Sequence, residues 1–144
     1  MGLIMDMPLH LNSVTDVVAT PPSRQRTAEI RTTLTLLGVV AAFQLALVAG
    51  APWGAAAWGG VAPGVLPGPL RVASVGSMLI YCGLAALVAT HKLSSTARRR
   101  LLTASLLMVF GVIGNLATQS PVERLWAPVA AALAVLFWRL RTTP

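Results

Sequence analysis

Four long runs of the chain, 32–70, 72–90, 101–122 and 125–138, contain no Asp, Glu, Lys, Arg or His. A bilayer hydrocarbon core about 30 Å thick is crossed by roughly 20 helical residues, with about 17 to 25 tolerated. The pattern therefore predicts membrane-spanning helices near residues 31–50, 71–90, 98–118 and 121–140. The fourth run has only 14 uncharged residues. It suffices if Glu123 and Arg124 lie in the headgroup layer and Arg139 snorkels at the other end. The first run is longer than a span, and its second half, GAPWGAAAWGGVAPGVLPGPLR at 50–71, is crowded with Gly and Pro. Pro52 in a first turn and a left-handed stop at Gly59 and Gly60 predict a short interfacial helix near 52–58. Trp53 and Trp58 then sit at headgroup depth, where amphipathic rings are favoured. Pro63, Pro67 and Pro69 exclude regular helix beyond it. Backbone groups there must stay in the interface or fold onto the mouth of the bundle, because lipid tails cannot satisfy them. The predicted fold is all-α, a four-helix transmembrane bundle with both termini inside and a Trp/Gly/Pro-rich outer loop.

Composition agrees with the pattern: hydrophobic residues make up 56%, charged residues 10%, and the mean hydropathy is +0.74. Soluble domains carry about a quarter charged residues. The 144 residues divide into a disordered cytoplasmic tail, 1–27, and one transmembrane domain, 28–141. In the tail, Asp6, Pro8 and Asp16 interrupt any signal-peptide order, and Pro21 and Pro22 separate it from the first helix. The formal charge of +7 could suggest nucleic acid, but its distribution argues for orientation in a membrane. Arg24, Arg26, Arg31, Lys92, Arg98, Arg99, Arg100, Arg139 and Arg141 fall on one side, leaving Arg71 and Arg124 on the other. By the positive-inside rule the termini and the 91–100 loop face the cytoplasm. The expected partner is the lipid bilayer, with no nucleic acid, and Arg98–Arg100 suits anionic lipid.

The stretch GNLATQSPVERLWAP, 114–128, carries a helix-start signature. Ser120 as N-cap, Pro121 in the first turn and Glu123 three residues on predict a capping box opening the fourth helix, with Pro128 kinking its interior. In the first helix Gly38, Ala42, Ala46 and Gly50 form a smooth ridge fit for close helix approach, including a homo-oligomer. In the third, Gly111, Gly114, Asn115 and Thr118 share a face. Cys82 is read as a small buried apolar residue, since one thiol makes no internal disulfide. His10 and His91 lie outside bundle depth, so neither metal nor cofactor is expected. The usual catalytic signatures are missing, and the chain is not expected to be an enzyme.

The polar residues of the spans coincide in depth. Gln44, Ser74, Ser77, Asn115 and Gln119, with Arg71, Glu123 and Arg124 at the edge, all project to the outer half, whereas the inner half is nearly all aliphatic. Converging helices would make an outward-facing polar pocket roofed by Trp53, Trp58 and Trp126 and closed by an Arg71–Glu123 ion pair. The candidate ligand-binding residues are thus Gln44, Trp53, Trp58, Arg71, Ser74, Asn115, Glu123, Arg124 and Trp126.

GAPWGAAAWGG, LPGPLRVAS and GNLATQSPVERLWAPVA together resemble the paired outer motifs of an uncharacterised family of small four-span bacterial integral membrane proteins, over roughly residues 35–138. The resemblance implies the topology, a bacterial plasma membrane and a shared outer face; it transfers no catalytic residue. The leading expectation for function is an accessory or structural bundle. The alternatives are binding of a lipid or small ligand in the outer pocket, or passive transport as an oligomer. Proton-coupled export is disfavoured because the chain offers no acid deep in a span.

Overall fold

The computed structural model describes residues 24–90 and 94–142. Four helices carry the fold: α1 Arg24–Ala49, α2 Gly68–Ala89, α3 Ser95–Ala117 and α4 Trp126–Thr142, with no strand among the described residues. Each is long and apolar enough to cross a membrane, α4 when counted from the short 3₁₀ turn at Glu123. The residues of the expected tail up to position 23 lie outside the described ones.

Local chemistry sets the ends. Helix α1 stops where Gly50 takes φ +96°, with Gly50 N–H bonded to Leu47 O at 3.1 Å and Ala51 N–H to Ala46 O at 2.9 Å. This pair of bonds is the Schellman arrangement, which satisfies carbonyls that the helix leaves open. Pro67 caps α2, whose first turn contains a proline, where no N–H is lost. Ser94 caps α3 by accepting from Ala97 N–H at 3.2 Å, satisfying an orphan donor.

Three expectations are corrected. Helix α1 begins at Arg24, upstream of 31, because 24–30 contains no breaker and the extra turns bring Glu29 to Arg139 at 2.7 Å. Glu29 is therefore a buried acid inside a helix, though near its start. Helix α4 begins at Trp126, so Pro128 falls in its first turn and breaks no hydrogen bond there. Cys82 is exposed on α2, on a face shared with lipid-facing neighbours such as Leu79, and not buried.

The helices form two hairpins, α1 with α2 and α3 with α4, which meet chiefly through α1 and α4. The Glu29–Arg139 ion pair places the start of α1 beside the end of α4, and Arg98 Nη1 donates to Arg141 O at 2.6 Å. We call this the arginine end. The core lies toward it, built on Leu37, Val88, Leu101, Leu133, Phe137 and Leu140. Within it the buried Ser105 hydroxyl ties α3 to α4 by donating to Ala134 O at 2.8 Å. At the opposite, tryptophan end the packing is different. A small cluster of Leu47, Ala57 and Leu66 anchors the 50–67 loop onto α1.

Candidate functional site

The 50–67 loop is built from two 3₁₀ turns, Gly54–Ala56 and Trp58–Gly60, and not from the single helix expected at 52–58. Gly59 and Gly60 are left-handed, at φ +78° and +69°, as the sequence requires. Trp58 joins them at φ +55°, a conformation costly for a bulky side chain. The loop also passes close to itself. A Cβ on Gly54 would lie 2.0 Å from Ala62 O, while Gly54 N–H bonds Gly64 O at 2.8 Å.

The α3–α4 connection clamps this loop. Glu123 is buried, and both its oxygens accept: Oε1 from Gly59 N–H at 2.9 Å and Oε2 from the Thr118 hydroxyl at 2.6 Å. The Ser120 hydroxyl donates to Ala55 O, and Trp126 Nε1–H donates to Ala56 O at 2.9 Å. The expected capping box is thereby replaced. Ser120 and Glu123 hold the neighbouring hairpin's loop, and Ser120 N–H is satisfied by Thr118 Oγ1 at 3.2 Å. Trp58 Nε1–H completes the clamp by donating to the fully buried Ser74 hydroxyl of α2 at 3.1 Å.

Beneath the clamped loop lies a cavity of about 940 Å³, unsealed, with walls from all four helices. It is within the range of drug-sized ligand sites, roughly 300–1,000 Å³. Its floor is set by Val40, Met108 and Leu133, about 13 Å below the end of α1 at 1.5 Å per residue. Helices α2 and α3 both line it, through Ser77 and Tyr81 on one and Gly111, Gly114 and Asn115 on the other. These two helices make little contact with each other.

Of the candidate residues, Gln44, Trp58, Asn115, Glu123 and Trp126 line this cavity. Ser74 stands behind the wall, holding Trp58. Trp53 lies outside, with its ring parallel to Phe43 at 6.3 Å between centroids. The Arg71–Glu123 ion pair does not form. Arg71 donates through Nε at 2.9 Å and through Nη2 to Val48 O, where its charge meets the negative end of α1. Arg124 donates to Thr118 O at 3.2 and 3.0 Å from Nε and Nη2. Ser77, Gln119 and the Gly111–Thr118 face line the cavity as their spacing requires. Phe43 was missed: its ring meets that of Trp126 at 4.6 Å and 50°. The signal was the stripe 37, 40, 44, 47 on α1, beside which position 43 must fall. The buried Oε1 of Gln44 has no hydrogen-bond partner.

The helices and cavity define a small multi-pass α-helical membrane protein with a hollow end. No family model, curated protein or solved structure matches the chain.

Proposed function

We propose that the chain is a binding protein of the bacterial plasma membrane, with both termini cytoplasmic, that holds a lipid or lipid-like molecule in the cavity at its outer end. One observation carries this reading: an unsealed volume of about 940 Å³ with a polar roof, an aliphatic floor, and walls that include α2 and α3, which make little contact with each other. A structural bundle has no need of such a hollow, because helices freed to close on one another gain packing contacts. The clamp supports it too, since Glu123, Ser120, Trp126 and Trp58 all hold the roof in place over the space. Binding, not catalysis, fits a carboxylate whose two oxygens are already engaged. Sidedness rests on the arginine asymmetry, and the bacterial setting on the resemblance of the outer motifs.

Native mass spectrometry after gentle detergent extraction tests the reading. The expected result is one species of lipid or solute retained per chain and lost from an Asn115→Trp variant. Release of bare protein by every extraction, with no saturable uptake of added amphiphiles, would overturn it. Reporter fusions after residues 60 and 95 are expected to report opposite sides of the membrane. An accessory bundle that assembles with its own copies is the second reading. It is favoured by the α1 ridge, where Gly38 meets no atom within 4 Å of an added Cβ and Ala42 is exposed.

A further inference from the structure

We infer that the ligand of this cavity carries a positive charge: it is a cationic amphiphile, with an ammonium or similarly diffuse cation under the loop and an apolar body toward the floor. The inference rests on the binding reading above and adds the chemical class.

The formal charge on the wall is negative, and the polar groups beside it, the amides of Gln44, Asn115 and Gln119 and the hydroxyls of Ser77 and Tyr81, are neutral. Among the described residues, Glu123 is the one formally charged side chain that lines the cavity. Its oxygens both accept hydrogen bonds, as an ionised carboxylate does. Neither donor carries a full charge, so the negative charge is oriented but not neutralised. Arg71 is bound to the carbonyl of Val48, Arg124 bonds the Thr118 carbonyl and not the Glu123 carboxylate, and neither is among the lining residues. Gln44 adds a buried carbonyl oxygen with no donor, an acceptor awaiting an N–H or a positive centre.

The aromatic residues point the same way. Phe43, Trp58, Tyr81 and Trp126 all line the space. Aromatic rings have negative faces and positive edges. Both indole N–H groups are spent on protein acceptors, Trp58 on Ser74 and Trp126 on Ala56. Beyond the Tyr81 hydroxyl, what these side chains offer a ligand is π surface, which attracts cations and most strongly so when desolvated. An anion would find the neutral donors of Asn115, Gln119, Ser77 and Tyr81, but it would have to approach the Glu123 carboxylate with no cationic side chain among the lining residues to offset the repulsion.

The test uses the full chain in nanodiscs of an uncharged glycosyl diacylglycerol, which carries no ammonium group, and three probes of related shape: tetraphenylphosphonium, tetraphenylborate and neutral triphenylphosphine oxide. Binding is read by tryptophan quenching and equilibrium dialysis, with empty nanodiscs subtracted. Saturable binding of the phosphonium at least roughly tenfold tighter than the borate is expected, a difference of about 1.4 kcal/mol. Glu123→Gln, which retains an acceptor for Gly59, should weaken the phosphonium by at least a similar factor and leave the phosphine oxide unchanged. If Glu123→Gln does not fold, Asn115→Lys, which places a positive charge on the wall away from the clamp, should do the same. Equal binding of cation and anion, or cation binding indifferent to both substitutions, would overturn the charge assignment while leaving a ligand site in place. Failure of all three probes to bind saturably would sink the binding reading itself. Adding phosphatidylethanolamine to the nanodiscs separates two sources of the same chemistry. Competition with the phosphonium identifies an amino headgroup, and its absence a free lipophilic cation.

Discussion

Gly54 and Trp58 show how single positions of the 50–67 loop are fixed. Gly54 has no room for a side chain, since a Cβ would sit 2.0 Å from one carbonyl oxygen and 2.8 Å from another. Both are backbone atoms, so relief requires the loop to move and the Gly54–Gly64 bond to open. Gly54→Ala is therefore expected to destabilise the protein by about 3 kcal/mol, the upper end for overpacking, and to expose 50–67 to proteolysis. Thermal unfolding in detergent and limited proteolysis check both. Trp58 is held in its left-handed conformation by its bond to Ser74. Ser74→Ala removes the acceptor, at a cost of about 1 kcal/mol. Freed to relax from φ +55°, the indole should move, so a change in tryptophan emission should accompany the small loss of stability. Unchanged emission would mean that the loop backbone alone holds Trp58 in place.

At the scale of helices, the Glu29–Arg139 pair is the polar link between the two hairpins at the arginine end. Glu29 is buried and Arg139 is about half exposed, at 9% and 47%, and Gln25 Nε2 also donates to Glu29 Oε1 at 3.4 Å. A double-mutant cycle with Glu29→Gln and Arg139→Gln is expected to give a coupling of about 1–2 kcal/mol. That lies above the range for exposed pairs and below that for fully buried ones. The spans themselves were legible in the sequence, because hydrocarbon excludes charge and the charges of this chain mark its boundaries. Two helix ends were not. Arg24, Arg26, Glu29 and Arg31 marked 24–31 as outside the membrane, yet a helix can continue through such a stretch when its charges pair, as Glu29 does with Arg139. The local signature S-P-x-E at 120–123 matches a capping box, but Glu123 Oε1 accepts from Gly59 N–H, 64 residues away in the 50–67 loop, and the Ser120 hydroxyl donates to Ala55 O of the same loop. Spacing along the chain carries no record of such a long-range partner. The cavity wall was partly legible for the complementary reason: Gly111, Gly114, Asn115 and Thr118 are brought together by helix periodicity alone. Arg71 and Glu123 share a depth but not a neighbourhood, and depth was all the sequence conveyed about them.

Considered whole, the molecule is packed at one end and hollow at the other, and this asymmetry makes stability and binding separable. The arginine half holds Leu37, Leu101, Leu133 and Phe137 at near-zero exposure, so the hairpins are joined there. In the tryptophan half they are held apart, spanned by the hydrogen bonds from Glu123, Ser120 and Trp126 to the loop. If the hollow were only imperfect packing, filling it would improve the protein without consequence. Gly114 is the position at which to ask, because it lines the cavity and an added Cβ meets nothing within 4 Å. Gly114→Leu also replaces a poor helix former by a good one, worth up to about 0.8 kcal/mol. Equal or higher thermal stability is therefore expected, together with at least a severalfold loss of affinity for the phosphonium probe, measured in the same nanodiscs. Gly38→Leu is the matched control: its Cβ is equally unobstructed, but it lies on the outer ridge of α1 and should leave probe affinity intact. Retained affinity in Gly114→Leu would place the probe somewhere other than in the cavity. Loss in both variants would instead implicate the α1 ridge, and with it an assembly of several copies in forming the site.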